Sequence, residues 1–156
     1  MSTEQTWQTE SISLEQTLEI ASRLGARLRG GEVLELISDL GGGKTVFVRG
    51  LANGMGSTDR VSSPSFTLTN QYTAGNKTIH HFDFYRLDEP GILMQELAEI
   101  LSDRNNVVAI EWADVVQNIL PPDRLQLTIK PTGENSRLLQ FVYPALLAYL
   151  FKSELD

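Results

Sequence analysis

The chain of 156 residues contains no cysteine. It therefore forms neither disulfides nor a thiolate metal site, which fits a reducing compartment. Its net charge of −7 argues against direct gripping of nucleic acid, because neutralising phosphates requires clustered Lys and Arg. Residues 1–6 lack the basic and apolar regions of a secretory signal, and no apolar run approaches the ~20 residues that span a bilayer. We therefore expect a cytoplasmic protein without membrane contact.

Composition favours one soluble domain over residues 1–156. Hydrophobic residues make up 41% of the chain and charged residues 21%, which is typical of globular proteins. Leucines recur at helical spacing after Ser13, which is a plausible N-cap. Arg23, Arg27 and Arg29 cluster near the end of this predicted helix, and we interpret them as a solvated face.

A glycine-rich segment at residues 38–45 has the setting of a phosphate-binding P-loop. The apolar run at residues 33–37 predicts a strand before it, and a helix is predicted from Lys44 to about Met55. The glycines allow main-chain N–H groups to surround an anion at the positive end of the helix. Lys44 would reach the β- and γ-phosphates, and the Thr45 hydroxyl would ligate Mg²⁺. Ser38 replaces the first glycine of the general pattern, and a glycine turn that binds nothing is the alternative.

Two carboxylates follow apolar runs and are candidates for the second metal partner. Glu111 comes directly after residues 107–110, and Asp83 ends residues 79–82. Ligands gather at the carboxyl edge of parallel strands, and Mg²⁺ accepts one or two carboxylates, so both can serve, one directly and one through water. The alternatives are a turn cap for Asp83 and an exposed strand end for Glu111.

Further patterns predict the rest of the fold. A hairpin is expected around residues 74–76, a central buried strand at 107–110, and two final strands at 125–129 and 138–142. We predict a three-layer α/β fold of the P-loop NTPase type, with a mixed, centrally parallel sheet and antiparallel edge strands. An apolar helix at about 143–153 would pack on the domain's own sheet or dock on a partner protein.

Two short polar features are weaker signals. Ser63 and Ser65 flank a proline after the P-loop helix, where their hydroxyls would lie near a γ-phosphate, although most such segments are ordinary loops. His80 and His81 are adjacent on a predicted strand and must face opposite sides. They are therefore a poor metal pair, and we expect one of them to be buried and hydrogen-bonded.

Taken in order, these motifs resemble the TsaE (YjeE) family of bacterial P-loop ATPases. The resemblance covers roughly residues 14–129. Its matching stretches are residues 39–45 with 47–50, 63–68, 81–87 and 110–112.

This resemblance implies roles for individual residues. Thr45 and Glu111 would ligate Mg²⁺, Asp83 is similar to the family's second acidic site residue, and Trp112 would lie beside the site. Lys44, Asp83 and Glu111 would carry catalysis. Thr17 and Arg137 are guesses for adenine contacts. The nucleotide would be bound by Leu40, Gly41, Gly42, Gly43, Lys44, Thr45 and Ser65.

The resemblance further implies Mg²⁺-dependent ATP hydrolysis in the threonylcarbamoyl-adenosine (t6A) modification of tRNA, next to the anticodon. The partners would be TsaB-like and TsaD-like proteins, with tRNA held indirectly through that assembly. Two alternatives remain from the residues: a small-molecule or nucleotide kinase, and an ATP-gated binding module that does not hydrolyse. A small GTPase is disfavoured, because residues 76–79 lack the Asp that pairs with guanine.

Overall fold

The computed structural model describes residues 4–38, 43–61, 69–85, 87 and 91–155. Leu40, Gly41, Gly42 and Ser65, which were predicted to bind nucleotide, lie outside the described residues. The strands are β1 Glu4–Ser11, β2 Val33–Ile37, β3 Thr69–Ala74, β4 Lys77–Asp83, β5 Asn106–Glu111, β6 Leu125–Pro131 and β7 Arg137–Pro144. The α-helices are α1 Leu14–Gly25, α2 Lys44–Met55 and α3 Ile92–Leu101, and 3-10 helices cover Ala113–Ile119 and Ala145–Glu154.

The seven strands form one sheet in the order β1-β7-β6-β2-β5-β4-β3. The four central strands, β6, β2, β5 and β4, run parallel to one another. The pairs β1–β7, β7–β6 and β3–β4 are antiparallel. The predicted mixed sheet with a parallel centre and antiparallel edges is therefore confirmed.

Apolar residues cover both faces of the sheet, which gives three layers. On one face, α1, α2 and the C-terminal 3-10 helix pack on the strands, with Leu24, Phe47 and Leu150 in a common cluster. On the other face, α3 and the first 3-10 helix pack through Leu97 and Val116. The buried sheet explains why β5 is apolar along almost its whole length. No described helix combines the length and the apolar character that crossing a bilayer requires.

Strand β1 has no counterpart among the elements predicted from the sequence. It pairs with β7 along its whole length, from Glu4 opposite Pro144 to Ser11 opposite Arg137. Most of its side chains are exposed or half-buried, because it is an edge strand. Trp7 stacks on Phe141, with ring centroids 5.4 Å apart. A polar edge strand lacks the apolar alternation by which strands are recognised.

The C-terminal segment differs from the helix predicted at about 143–153. Tyr143 and Pro144 complete β7, and the helix that follows is of the 3-10 type, with non-helical dihedrals at Lys152 and Ser153. Its Leu147, Leu150 and Phe151 are buried, and the Phe151 ring stacks 4.2 Å from that of Tyr143. Packing on the domain's own sheet is thus confirmed for this segment.

The arginines near the end of α1 were expected to form a solvated helix face. Arg23 and Arg27 instead also bond to the C-terminal segment, which corrects that expectation. Arg27 Nη1 donates to the carbonyls of Leu150 and Lys152, at 3.1 and 2.7 Å. Arg23 Nη1 donates to the Leu155 carbonyl at 3.1 Å. The end of a helix leaves carbonyls without intrahelical partners, and these guanidinium groups satisfy some of them.

Glycines allow α1 and α2 to approach each other closely. A Cβ at Gly25 would lie 2.3 Å from the Leu51 carbonyl oxygen, and one at Gly54 would lie 1.9 Å from that of Ser22. Both contacts are with backbone, which cannot move aside cheaply. This close packing fixes α2, and therefore its first residue Lys44, relative to the sheet.

We predict that Gly54→Ala destabilises the protein by about 1–3 kcal/mol, because the added methyl group forces the two helix backbones apart. Urea denaturation followed by circular dichroism measures the change. Gly133→Ala is the matched control, since its Cβ would meet the flexible side chain of Ser136. Equal stabilities of the two variants would contradict the close-packing account.

Candidate functional site

Gly43 begins helix α2 in a left-handed conformation, with φ 104° and ψ 15°. Residues other than glycine rarely adopt this backbone conformation, so this position requires glycine. Glycine also offers no side-chain cap, which leaves the first N–H groups of α2 for another acceptor. The predicted strand and helix on either side of the glycine-rich segment are present, with β2 ending at Ile37 and α2 beginning at Lys44.

Lys44 points its ammonium group back to the ends of the neighbouring strands. The side chain is 6% exposed. Nζ donates to the Ser38 carbonyl at 3.1 Å and lies 3.4 Å from Glu111 Oε1. It also lies 4.9 Å from the centroid of the Trp112 ring. A buried ammonium needs such partners, because removing a charge from water is costly.

Glu111 occupies the end of β5 and accepts a hydrogen bond at its other carboxylate oxygen. Oε2 lies 2.6 Å from His81 Nε2, and the His81 side chain is fully buried. Burial alone would raise the pKa of Glu111, but His81 and Lys44 together outweigh it and hold that pKa below its usual value. Glu111 is therefore an ionised, buried strand end, and the alternative of an exposed one is wrong.

Asp83 lies beside Glu111 at the same edge of the sheet. The two residues are register partners on the parallel strands β4 and β5. Asp83 is 3% exposed, and its Oδ1 accepts a hydrogen bond from the Tyr85 main-chain N–H at 2.9 Å. Asp83 therefore caps a turn, which was the alternative role predicted from the sequence. It also lies next to the buried ion pair of Lys44 and Glu111. The predicted convergence of both carboxylates is confirmed.

Trp112 continues the chain from Glu111 in a left-handed conformation, with φ 56°. Backbone strain of about 1–3 kcal/mol is usual for such a residue and is tolerated where the surroundings impose it. Its ring lies 4.8 Å from that of Tyr85. Its Nε1 is buried without a hydrogen-bond partner among the described residues. Trp112 also borders a cavity of about 140 Å³ against the end of β2.

The two guesses for adenine contacts have different surroundings. Thr17 is buried, and its hydroxyl is bonded to Ser11 Oγ at 2.6 Å and to the Ser13 carbonyl at 3.2 Å. It therefore stabilises the start of α1. Arg137 lies at the site, because its Nε would be 3.5 Å from a Cβ at Gly43.

The residues present fit a magnesium ion that accompanies a phosphate ligand. The carboxylates of Asp83 and Glu111 lie at one sheet edge, and Thr45 follows Lys44 in the first turn of α2. Mg²⁺ prefers such oxygen ligands in small number, together with phosphate and water. In the described part of the chain, no three His, Cys, Asp or Glu side chains are grouped to hold a metal by themselves.

Sequence reasoning missed that His81 contacts Glu111. A signal was available, because His81 and Asp83 are two residues apart on one strand and therefore share a face. One histidine of the adjacent pair was expected to be buried and hydrogen-bonded, and this is confirmed for His81. His80 on the opposite face bonds to Asn106 Oδ1 at 3.1 Å. The sequence identifies no arginine finger; Arg49 is exposed, as expected for a surface residue, and Arg86 lies outside the described residues.

Residues 11–139 match the family described as "Threonylcarbamoyl adenosine biosynthesis protein TsaE". A Bacillus subtilis protein named "tRNA threonylcarbamoyladenosine biosynthesis protein TsaE" is 36% identical over 139 residues, covering 86% of this chain and 83% of the relative. A protein of the same name from Nostoc sp. is 41% identical over 103 residues, 64% of each chain.

A solved structure supports the same relationship. The crystal structure of Bacillus subtilis YdiB superimposes with a TM-score of 0.76 at 33% identity. The match covers 99% of this chain and 95% of that one. The predicted fold class is therefore confirmed by a related experimental structure.

We predict that Glu111→Gln flattens the acid dependence of stability. The folded protein holds the pKa of Glu111 below its ordinary value of 4.5, so its stabilising contribution is present above that pH. The contribution is lost as the pH falls through the lowered pKa. The free energy of unfolding of the unsubstituted protein should therefore decrease more steeply than that of the variant as the pH falls below about 4.5.

Urea titrations at several pH values measure this difference. Glu134→Gln is the control, because it removes an exposed carboxylate from the turn between β6 and β7. Parallel stability curves for Glu111→Gln and the unsubstituted protein would refute the prediction.

Proposed function

The chain belongs to the TsaE family, and on that premise we propose that it is a Mg²⁺-dependent ATPase that serves tRNA threonylcarbamoyladenosine biosynthesis. One observation carries the chemical part of this proposal. The buried ammonium of Lys44, the first residue of α2, lies 3.4 Å from the carboxylate of Glu111 at the carboxyl edge of the parallel strands. P-loop NTPases bring these groups together around a nucleotide's phosphates.

The nucleotide phosphates would bind at the start of α2. Leu40, Gly41, Gly42 and Gly43 would offer main-chain N–H groups, to which the helix dipole adds positive potential. Lys44 would leave Glu111 for the β- and γ-phosphates and stabilise charge on the phosphoryl group during transfer.

Thr45 and Glu111 would hold Mg²⁺, with Asp83 acting directly or through water. When bound, the ion neutralises charge that develops on the phosphates. Glu111 and Asp83 are acceptors that can orient a water for attack, and Ser65 offers a hydroxyl for the same purpose. Arg137 lies near Gly43 and supplies a further cation beside the phosphates.

The proposed partners follow from the family and from the charge of the chain. TsaB-like and TsaD-like proteins would assemble with it in the cytoplasm, and tRNA would be held by that assembly. A net charge of −7 supports this indirect contact, because the chain by itself repels a polyanion. Turnover would be slow in isolation and depend on partner docking to complete the site.

We predict that Lys44→Ala weakens ATP binding and that Glu111→Ala mainly removes the effect of Mg²⁺ on binding and hydrolysis. Removing a group that stabilises transferring charge typically lowers turnover on the order of 100-fold. Calorimetric titration with ATP and a phosphate-release assay measure the two effects. Arg49→Ala is the control, because it removes an exposed cation from the same helix.

Each alternative function has its own outcome in these assays. Binding of ATP without release of phosphate would replace the ATPase with an ATP-gated binding module. Phosphate transfer to an added nucleoside or sugar would indicate a kinase. Unchanged turnover in both Lys44→Ala and Glu111→Ala would refute the proposed site.

A further inference from the structure

His81 makes an unusual set of contacts for a buried polar side chain. It is 0% exposed, and Nε2 lies 2.6 Å from Glu111 Oε2. Its other ring nitrogen, Nδ1, is buried and has no hydrogen-bond partner among the described residues. An ionised carboxylate can only accept, so Nε2 carries the hydrogen and donates it to Glu111. Within the described chain, the imidazole of His81 therefore makes its hydrogen bond to Glu111.

The two oxygens of Glu111 are held differently. His81 lies at hydrogen-bond distance from Oε2, whereas Lys44 Nζ is 3.4 Å from Oε1. The short contact fixes the plane of the carboxylate. The longer contact leaves Oε1 facing Lys44. A metal cation can replace the Lys44 ammonium group as the partner of this oxygen. A carboxylate in this position is oriented before any ligand arrives.

The register of the sheet makes this contact possible. His81 on β4 is opposite Ala109 on β5, and the next pair on that face is Asp83 with Glu111. Ala109 has a single methyl group, so the imidazole can lie along β5 toward Glu111. His81, Asp83 and Glu111 consequently share one face at the carboxyl end of the two strands.

We propose that His81 is a positioning residue that holds Glu111 with Oε1 directed to Lys44, so that Mg²⁺ bound with a nucleotide meets a pre-oriented carboxylate. This inference rests on the proposed function and assigns to His81 a role in metal affinity. Groups that orient a metal ligand commonly contribute about 10- to 100-fold to metal affinity. A role in stability alone is a weaker explanation, because apolar residues often replace a buried ionic pair without loss.

Two substitutions separate orientation from burial. His81→Gln keeps an N–H donor the same number of bonds from Cβ as the imidazole Nε2. His81→Leu removes the donor and fills the buried position with an apolar side chain. The matched control is His80→Gln, since His80 is the neighbouring residue on the opposite face and bonds to Asn106. None of the three substitutions alters a proposed nucleotide or metal contact.

The experiment measures binding of a fluorescent ADP analogue in Mg²⁺ and in EDTA, together with the thermal midpoint of each variant. We expect His81→Leu to lose about 10- to 100-fold of the affinity gained from Mg²⁺ while its affinity in EDTA changes little. His81→Gln should recover most of that gain. His80→Gln should behave as the unsubstituted protein in both buffers.

A purely structural role would lower the thermal midpoint of His81→Leu and leave its gain from Mg²⁺ intact, and this result would overturn the proposal. Equal losses in His81→Gln and His81→Leu would also overturn it. Should His81→Leu not fold, His81→Asn replaces it, because its shorter side chain cannot bring the donor to Glu111.

Failure of the proposed function has a different signature. The unsubstituted protein would then bind the analogue in neither buffer, which removes the site and this inference together. Binding of equal strength in both buffers would retain the nucleotide site and reject the role of His81.

Discussion

The contact between Lys44, Glu111 and His81 is the interaction on which the site depends. It joins the first residue of a helix to the ends of two parallel strands, and all three side chains are almost completely buried. Buried charges are tolerated when they are paired, so this cluster constrains the positions of α2, β4 and β5 at once. The same groups can pair with a phosphate and a metal ion, which is why the cluster is a candidate for chemistry as well as for stability.

The rest of the fold holds these elements in place. Parallel order in the sheet brings Asp83 beside Glu111, because the carboxyl ends of β4 and β5 meet at one edge. Gly25 and Gly54 allow α1 and α2 to pack backbone against backbone, so that Lys44 reaches that edge. The C-terminal segment covers the same face of the sheet and is tied to α1 by Arg27.

Local patterns predicted the parts of this arrangement that depend on short stretches of chain. Glycines before a Lys-Thr pair indicated the start of α2, and apolar runs ending in Asp83 and Glu111 indicated the acidic edge. Contacts between distant residues carry no such local signal, and His81 is thirty residues from Glu111. Strand β1 was missed because an exposed polar edge strand shows no alternation. The 3-10 conformation after Pro144 was missed because the apolar spacing there fits an α-helix equally well.

A crystal structure with Mg²⁺ and a non-hydrolysable ATP analogue is the most direct test of this account. We expect the β- and γ-phosphates at the start of α2 and Lys44 transferred to them from Glu111. The metal should then be coordinated directly by the Thr45 hydroxyl, at about 2.1 Å. Glu111 Oε1 should contact it either directly or through one water. A bound analogue whose phosphates lie away from Gly43, with Lys44 still paired to Glu111, would contradict it.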